Sequence, residues 1–414
     1  MQLMDSQDTG LHQATDYITD RIRAAAAAGT ALRIRGGGSK DFYGHGTGQG
    51  EVLDTTGING ILSYEPSELV VTVGAGTPLA ELEAVLAERG QCLAFEPPHF
   101  AWSTHSQGAT HAEPAGERVP DRGCAVGSAA TVGGMVAAGL SGPARASAGA
   151  VREYVLGLHM VNGLGEKLVF GGQVKKNVAG YDVSRMMVGS MGTLWLITQV
   201  SLKVLPIAPA QATLVFALDQ TNALECLHRW GGQPLPLNAS CWVHDNTAGP
   251  AGKDLLFVRL RGAVAAVEAA CQKMLAEQRG ERLDNAQAQG DWAQCRDQQL
   301  PFFRRPADPA VALWRLSVAQ TAPAFSDLPW PQLVEWHGGL RWLWAPVDAG
   351  AQLQALAHTH GGNATLFVAP CAYSTGATGL FSIKDSAQIA IQQRLKHSLD
   401  PKGIFNPQRL FAAW

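Results

Sequence analysis

The sequence predicts an α+β protein with two domains, and three observations support this. The chain has 414 residues, more than a single hydrophobic core usually organises. Its first 90 residues alternate helix-forming and strand-forming stretches around glycine-rich turns, which is typical of an α/β unit. From about residue 210 to 370, strand-like runs such as ATLVFAL alternate with alanine-rich helical stretches, which indicates an antiparallel sheet with helices on one face.

The amino-terminal part begins with a helix over residues 11–28, where helix formers run up to Gly29. ALRIR then predicts a strand that enters a run of three glycines, and ELVVTVGAG predicts a second strand. After it, Thr77 can cap a helix whose first position suits Pro78. Residues 100–124 lack periodicity and are rich in Gly, Pro, Ser and Thr, so they predict an inserted surface loop.

Composition excludes several classes of protein. The net charge of -3 argues against a polyanionic partner held by bulk electrostatics. No apolar run approaches the roughly 20 residues that span a bilayer, and the first residues lack a signal-peptide layout, so we expect a cytoplasmic protein. The seven cysteines are scattered and never spaced as CxxC, which favours reduced thiols and provides no framework for an iron–sulfur cluster or a structural zinc.

Two glycine stretches compete as nucleotide sites. GAGTPLA, residues 74–80, matches the G-x-G-x-x-A dinucleotide pattern between a strand and a helix. The ribose-binding acidic residue expected about 20 positions later is missing, because Glu96 precedes two prolines there. A tight strand-to-helix turn is therefore the favoured interpretation of GAGTPLA.

RGGGSK, residues 35–40, is better suited to an anion. Successive glycine amides can form a nest for phosphate oxygens, and Arg35 or Lys40 can supply positive charge. Two further small-residue stretches, ATVGGMVAAGLSGPARASAG and KKNVAGYD followed by GSMGT, bring backbone close to something flat or charged. Three such loops predict a long cofactor with several polar groups.

These motifs carry a family resemblance. RIRGGGSK, ATVGGMVA, GAVREYVLG, KNVAGYDVSRMMVGSMGT and LDPKGIFNP, in that order, resemble the flavoproteins with the vanillyl-alcohol-oxidase (PCMH) type of FAD-binding fold. EPPH and SGPARASAGAVREYVLG resemble, within that family, the FAD-binding E subunits of three-subunit bacterial glycolate oxidases. The resemblance is dense over residues 28–210, good in the tail and loose between them. It implies a PCMH-type FAD-binding domain at 1–209, an α+β cap domain at 210–374 and a C-terminal segment at 375–414 that returns to the FAD domain.

The resemblance also implies cofactor-binding residues. The first loop would cradle the FAD pyrophosphate, and the second loop would run along the isoalloxazine and pyrophosphate. A third set would lie beside the ribityl and phosphate groups, and a fourth would pass the adenine and flavin or return to the flavin. In that order the residues are Gly36, Gly37, Gly38, Ser39 and Lys40; Thr131, Val132, Gly133 and Gly134; Arg145, Ser147, Gly149 and Val151; and Gly192, Thr193, Ile197, Asn406 and Pro407.

The KN..GYD motif, with Lys176, Asn177, Tyr181 and Asp182, is interpreted as ordering its segment. For Asp182 a helix N-cap is an equal alternative. Some relatives tether the flavin through a histidine beside the first loop. Gly38 and Ser39 stand there in this chain, and the nearest imidazole, His45, is interpreted as a loop histidine, so we expect non-covalent FAD.

Catalytic residues are the least defined part of the sequence. Oxidation of a 2-hydroxy acid needs a cation for the carboxylate and a base for the hydroxyl proton, and His99 and Arg341 are weak candidates. AHTHGGNATLF resembles a metal-binding HAGDGNLH motif of related dehydrogenases, but Gly361 and Thr365 replace two ligands, so no metal is expected. His358 and His360 are then surface histidines. Three tryptophans of WHGGLRWLWAP are interpreted as cap core or as a face for docking a partner: Trp336, Trp342 and Trp344.

The function that these expectations favour is the FAD-bearing subunit of a glycolate-oxidising complex. Its partners would be a second FAD subunit and an iron–sulfur subunit, and any membrane association would be peripheral and made through the complex. Two alternatives stay open: a self-sufficient FAD-dependent dehydrogenase or oxidase of another 2-hydroxy acid, and a partner-docking subunit whose FAD is structural.

Overall fold

The computed structural model describes residues 2–45, 50–100, 129–172, 182–247, 249, 251–370, 381 and 385–411, with side chains from residue 10 onward. Most of the predicted insertion at 100–124, together with Lys176, Asn177, Tyr181, Cys124 and Cys371, lies outside the described residues.

The amino-terminal half contains short helices and strands in alternation. In chain order they are α1 Gln2–Ala28, β1 Leu32–Arg35, β2 Glu51–Asp54, β3 Ile61–Glu65, β4 Val70–Gly74, α2 Leu79–Glu88, β5 Gln91–Cys92, α3 Val132–Ala138, α4 Arg145–Ala148, α5 Val151–Tyr154, β6 Val155–Val161, β7 Lys167–Gly171, α6 Val183–Met186, β8 Leu196–Lys203 and β9 Leu205–Pro206.

Three separate strand arrangements build this half. A five-stranded antiparallel sheet has the order β3-β4-β8-β6-β7, a small parallel pair joins β1 to β2, and a short antiparallel pair joins β5 to β9. Every residue of β4 is buried, because α2 and α3 pack their apolar side chains on the five-stranded sheet in one core. The parallel pair packs instead with α1 in a second core. The glycine loop that follows β1 therefore lies between two packed layers.

The helix starts differ in part from the sequence prediction. The N-cap of α2 is Pro78, which has no side-chain cap bond. The Thr77 hydroxyl hydrogen-bonds to the backbone of Gly60 instead, so the prediction of a Thr77 cap is wrong. The prediction for Asp182 as an N-cap is confirmed, because its carboxylate accepts a hydrogen bond of 3.1 Å from the Arg185 amide at the start of α6.

The second half forms one large antiparallel sheet. Its elements are β10 Ala210–Ala217, α7 Gln220–Gly231, β11 Leu237–Asp245, β12 Lys253–Gly262, α8 Val264–Glu277, β13 Gly280–Arg282, α9 Asn285–Arg296, β14 Val311–Ser317, β15 Gln332–Glu335, β16 Leu340–Pro346, α10 Gly350–Thr359, β17 Asn363–Val368 and α11 Ser386–Leu399, with 3-10 turns at Pro301–Phe303, Trp336–Gly338 and Val347–Ala349. The strand order is β13-β10-β12-β11-β15-β16-β14-β17. We call this half, up to residue 370, the cap.

The two faces of the cap sheet have different coverings. Helices α7, α8 and α10 cover one face. The other face packs on the amino-terminal half through Tyr43, Phe100 and Met191, and it also carries α9, whose Trp292 indole donates to the Thr213 hydroxyl over 3.0 Å. The prediction that all helices lie on one face is therefore wrong for α9.

The tryptophans of WHGGLRWLWAP lie inside the cap face that contacts the amino-terminal half. Trp336, Trp342 and Trp344 are only 3%, 4% and 5% exposed. They form a core between the two halves, which confirms the core interpretation. They present no docking face for another protein.

The carboxyl-terminal tail is anchored by a buried ion pair. The Lys396 ammonium donates to the Asp400 carboxylate over 2.6 Å and to the carbonyls of Thr193 and Phe405. The Asp400 side chain is fully buried, and its carboxylate also accepts hydrogen bonds from the amides of Ile404 and Phe405. The Leu32 amide donates a hydrogen bond to the Ile404 carbonyl, and the Asn406 amide donates one to the Leu32 carbonyl. These two bonds place residues 404–406 beside β1. The tail thus ends under the glycine loop.

Asp400→Asn should destabilise the protein strongly, because it leaves the Lys396 ammonium buried without a counter-charge. Breaking a buried pair on one side costs about 3–5 kcal/mol, whereas an exposed pair contributes about 0–1 kcal/mol. Urea unfolding followed by circular dichroism measures both, with Glu268→Gln in the exposed Arg282–Glu268 pair as the control. Equal losses in the two variants would contradict this role of the tail anchor.

Candidate cofactor-binding cleft and interdomain cavity

The loop after β1 faces the start of α3 across a narrow cleft. Its walls come from four places in the sequence: β1 and its glycine loop, the start of α3, the turn before β8, and the tail. The lining residues are Arg33 to Asp41, Thr131, Gly134, Ala137, Ala138, Met191, Asn406, Pro407 and Arg409. All five residues expected to cradle the pyrophosphate, Gly36 to Lys40, therefore lie on one wall.

The glycines of this loop are required by the protein itself. A Cβ on Gly36 would lie 2.5 Å from the Thr131 hydroxyl oxygen, and one on Gly37 would overlap the carbonyl oxygen of Ala129. Gly38 has a φ of 76°, which L side chains rarely adopt. The sequence analysis explained the three glycines by the close approach of phosphate. In the structure, Gly36 and Gly37 are needed because the segment before α3 packs directly against them.

The cleft has the properties of an anion site. Among the described residues, the Gly37 and Gly38 amides have no hydrogen-bond acceptor, so two consecutive N–H groups are available as a nest. Of the residues that the structure describes, four cationic side chains line the cleft, those of Arg33, Arg35, Lys40 and Arg409, against one carboxylate, that of Asp41, which pairs with Arg35 at 2.7 Å. The buried Nε of Arg33 has no described partner. A diphosphate fits this charge and donor set.

Asn406 locks the cleft walls together. Its side-chain oxygen accepts the Ile34 amide and its side-chain nitrogen donates to the Met191 carbonyl, both at 2.8 Å. A Cβ on Gly192 would lie 2.8 Å from that same nitrogen, and Gly192 has a φ of 67°. Asn406 therefore forms part of the cleft wall, and Gly192 packs directly behind Asn406.

The second expected loop divides between cleft and core. Thr131 is the N-cap of α3, where its hydroxyl accepts the Gly134 amide over 3.2 Å, and both residues line the cleft. Val132 is fully buried, and the Gly133 amide donates to the Ala75 carbonyl over 2.7 Å. GAGTPLA therefore packs beneath α3 as a tight turn, and it does not line the cleft.

Another expected group lies on the far side of α3, toward the cap. The Arg145 guanidinium is 4.4 Å from the ring centre of Trp336, and the Ser147 hydroxyl is 3.1 Å from the His337 ring. Gly149 ends α4 with a φ of 95°. Val151 and Ile197 are side chains of the amino-terminal core. Their expected positions beside the cofactor stay predictions.

Several cleft residues were not singled out by the sequence analysis, among them Arg33, Met191 and Arg409. Arg33 alternates with apolar residues in an ordinary strand pattern, and Arg409 lies 369 positions after Lys40, whose carbonyl it reaches over 2.9 Å. Only the fold brings them together.

A second, small cavity lies between the amino-terminal half and the cap. Its volume is about 20 Å³, and its walls include Phe100 and Leu140 from one side and Arg315, Glu335 and Trp342 from the other. Glu335 accepts hydrogen bonds from the Trp342 indole at 2.7 Å and from the Cys295 thiol at 3.3 Å. Burial raises the pKa of Glu335 to about 7, against these hydrogen bonds and the charge of Arg315.

EPPH fixes the cap to the amino-terminal half. The Glu96 carboxylate pairs with Arg259 at 2.7 Å and Arg261 at 2.8 Å. Burial opposes ionisation of Glu96, but the two guanidinium groups outweigh it and lower the pKa of that carboxyl. The His99 amide donates to Asp297 in the cap, and its ring is 2.8 Å from Glu83 on α2. His99 is a contact between the halves and does not line the interdomain cavity, so its expected substrate-side role is not supported.

Arg341, the other catalytic candidate, is enclosed by protein. It has no exposed surface, and its guanidinium donates to the carbonyls of Gly338, Pro323 and Ala322. These three hydrogen bonds explain why the Arg341 guanidinium can be buried, and its expected role on the substrate side is not supported.

The histidines of AHTHGGNATLF lie away from the cleft. His360 ends α10 with its ring 5.3 Å from that of Phe325, and Thr365 is buried in β17. Within the part of the chain that the structure describes, no three His, Cys, Asp or Glu side chains are placed to hold a metal. A larger groove of 1260 Å³ opens on the cap beside α9, and no residue expected to bind FAD lines it.

The comparisons with known proteins agree with this geometry. Residues 13–106 match the FAD binding domain family. The chain is 38% identical to the glycolate oxidase subunit GlcE of Escherichia coli over 95% of this chain and 97% of that protein. It is 36% identical to the glycolate oxidase subunit GlcD of Bacillus subtilis over 22% of this chain and 20% of that one.

Among solved structures, 4-ethylphenol oxidase from Gulosibacter chungangensis superimposes with a TM-score of 0.64 at 12% identity. The match covers 96% of this chain and 87% of that one. The fold is thus the PCMH type, an FAD-binding unit joined to an antiparallel α+β cap.

Gly37→Ala should reduce FAD binding, because the new Cβ meets the Ala129 carbonyl and forces the loop out of shape. Overpacking of about 1–3 kcal/mol corresponds to roughly 5- to 150-fold weaker binding. Fluorescence titration of deflavinated protein with FAD measures the affinity. Gly290→Ala is the matched control, since a Cβ there meets nothing within 4 Å. Unchanged FAD affinity in Gly37→Ala would place the cofactor elsewhere.

Glu335→Gln should change how stability depends on pH. The unfolded carboxyl ionises near pH 4.5, whereas the folded one keeps its proton to about pH 7, so the free energy of unfolding falls as pH rises between these values. The neutral variant lacks this fall, so between pH 5 and pH 8 the wild type should lose about 2–3 kcal/mol of stability that Glu335→Gln keeps. Urea unfolding at pH 5 and pH 8 tests this, with the exposed Glu88→Gln as control. Parallel pH profiles for the wild type and Glu335→Gln would refute it.

Proposed function

This chain belongs to the GlcE family of glycolate oxidase subunits, and we propose that it oxidises glycolate to glyoxylate within a complex and passes the electrons to an iron–sulfur partner subunit. It is an FAD-dependent oxidoreductase subunit. The observation that carries the proposal is the 38% identity over almost the whole of both chains, because it includes the cap as well as the cofactor cleft. Bound flavin would supply the acceptor for the hydride of the hydroxy acid.

The chain's own residues would divide the work of holding FAD. Gly36 to Lys40 and the Thr131–Gly134 turn would receive the pyrophosphate, with charge from Arg33, Arg35 and Arg409. Arg145, Ser147 and Gly149 would lie toward the ring system, because they face the cap. Asn406 and Gly192 would keep the cleft walls at a fixed separation. We expect this FAD to be non-covalent.

The partners follow from the relatives and from the cysteines. GlcE and GlcD are separate glycolate oxidase subunits in the two relatives, which supports a second FAD subunit beside this chain. The seven cysteines have no cluster spacing, so we place the iron–sulfur acceptor in another subunit. No helix of the described residues is long and apolar enough to cross a membrane. We propose a cytoplasmic complex that can be peripheral to the inner membrane.

The test is purification of the chain alone and with its native partners. The isolated protein should be yellow, should release FAD on acid precipitation, and should support glycolate-dependent dye reduction only when the partners co-purify. The Gly37→Ala variant serves as the flavin-depleted control. Dye reduction by the isolated chain at the rate of the complex would favour a self-sufficient dehydrogenase. A complex that retains full activity with flavin-free Gly37→Ala would favour a docking subunit with structural FAD.

A further inference from the structure

Arg315 places a positive charge on an otherwise apolar face of the cap. It lies in β14, directly across from Trp342 in β16 and Thr365 in β17, so the three side chains project from the same face of the sheet. This face packs on the amino-terminal half through Phe100, Leu140 and Met191. The guanidinium therefore points toward the boundary between the two halves, where it lines the interdomain cavity.

Unlike its neighbours, Arg315 has no hydrogen-bond acceptor among the residues that the structure describes. Arg259 pairs with Glu96, and Arg341 donates to three carbonyls. The described residues surround Arg315 with aromatic rings, with the Trp336 centre at 5.2 Å and the Trp342 centre at 6.0 Å, and the Glu335 carboxyl in the same cavity makes no hydrogen bond with it. Burial lowers the pKa of Arg315, partly opposed by Tyr43 and Glu335. A largely desolvated cation without a hydrogen-bond acceptor is costly unless an anion reaches it.

The surroundings favour a small anion. Arg145 from α4 is 4.4 Å from the same Trp336 ring, so two guanidinium groups flank one indole. The cavity beside Arg315 measures about 20 Å³, close to the space of one or two water molecules, and aromatic walls from Phe100, Trp342 and Phe367 bound it. An acid of two carbons has more atoms than this space holds, so even the shortest carboxylate requires the aromatic walls to move apart, and a longer one requires a larger movement.

Strained backbone holds this arrangement across the domain boundary. Trp336 and His337 both have a φ of 55°, in the left-handed region that bulky side chains rarely adopt. The Trp336 indole donates to the Gly142 carbonyl of the other half over 2.9 Å, and the His337 amide donates to Ser240. The ring on which both arginines lie is thus fixed by both halves of the protein.

We propose that Arg315 binds the carboxylate of a short 2-hydroxy acid in the cavity between the cap and the amino-terminal half. The proposal rests on the proposed function. It assigns to Arg315 the role of the cation that holds the substrate carboxylate, for which the sequence analysis had offered His99 and Arg341. Guanidinium binds a carboxylate through two parallel hydrogen bonds, which orients the acid as well as holding it. Because the cavity walls must move less for a two-carbon acid than for a longer one, the site favours the shorter acid.

Isothermal titration calorimetry on the FAD-loaded chain tests the proposal with oxalate, a two-carbon acid that cannot serve as a hydride donor here, and with glycolamide, which lacks the carboxylate. The wild type should bind oxalate and not glycolamide. Arg315→Met should weaken oxalate binding by roughly 10- to 150-fold, the range of a charged hydrogen bond, and Arg315→Lys should restore part of it. Arg305→Met, which removes a guanidinium 5.9 Å from Trp344 in the same half, should bind oxalate like the wild type.

Flavin content and melting temperature of the Arg315 variants separate binding from folding, and both should stay near wild type because Arg315 makes no described hydrogen bond. Oxalate affinity unchanged in Arg315→Met, or no oxalate binding by the wild type, would overturn the site. A different result would reject the proposed function and leave the anion site in place. Loss of oxalate binding in Arg315→Met, together with a flavin that glycolate never reduces even in the complex, would keep the anion site and reject glycolate oxidation.

Discussion

The contact between the glycine loop after β1 and the segment that leads into α3 determines the shape of the cleft. Gly37 has no room for a single methyl group, because the Ala129 carbonyl lies where its Cβ would be. At this close approach Gly37 and Gly38 line the cleft, and their amides have no hydrogen-bond acceptor among the described residues. The tail supports the contact from behind, since Asn406 binds both the Ile34 amide and the Met191 carbonyl. The buried Lys396–Asp400 pair in turn fixes the tail.

The cap is held to this unit by charge as well as by apolar packing. Glu96 in the amino-terminal half pairs with Arg259 and Arg261 of the cap, and Trp336 reaches back to the Gly142 carbonyl. Together these contacts close the interdomain cavity around Arg315 and Glu335. The cap therefore contributes Arg315 and Glu335 to this boundary, where Arg145 of the FAD-binding unit lies on the same Trp336 ring as Arg315.

Local pattern predicts much of this fold and little of its interdomain chemistry. RGGGSK, Asp182 as an N-cap and the antiparallel cap sheet follow from turn chemistry and periodicity, which depend on neighbouring residues. The side of the sheet on which α9 lies cannot be predicted in this way, because it depends on the contact of Trp292 with Thr213, 79 positions earlier. Arg341 and Arg315 look alike in sequence, yet three backbone carbonyls enclose the first and none accepts from the second. Only tertiary contacts separate a structural arginine from one that is available to a ligand.

Hydrogen–deuterium exchange with and without added FAD tests the central claim most directly, because it reports on backbone amides one segment at a time. The account predicts that FAD slows exchange at residues 36–40, whose Gly37 and Gly38 amides have no acceptor among the described residues, and at the start of α3. Residues 74–80 should be unaffected, since this turn already packs beneath α3. Slower exchange at 74–80 without any change at 36–40 would contradict the account.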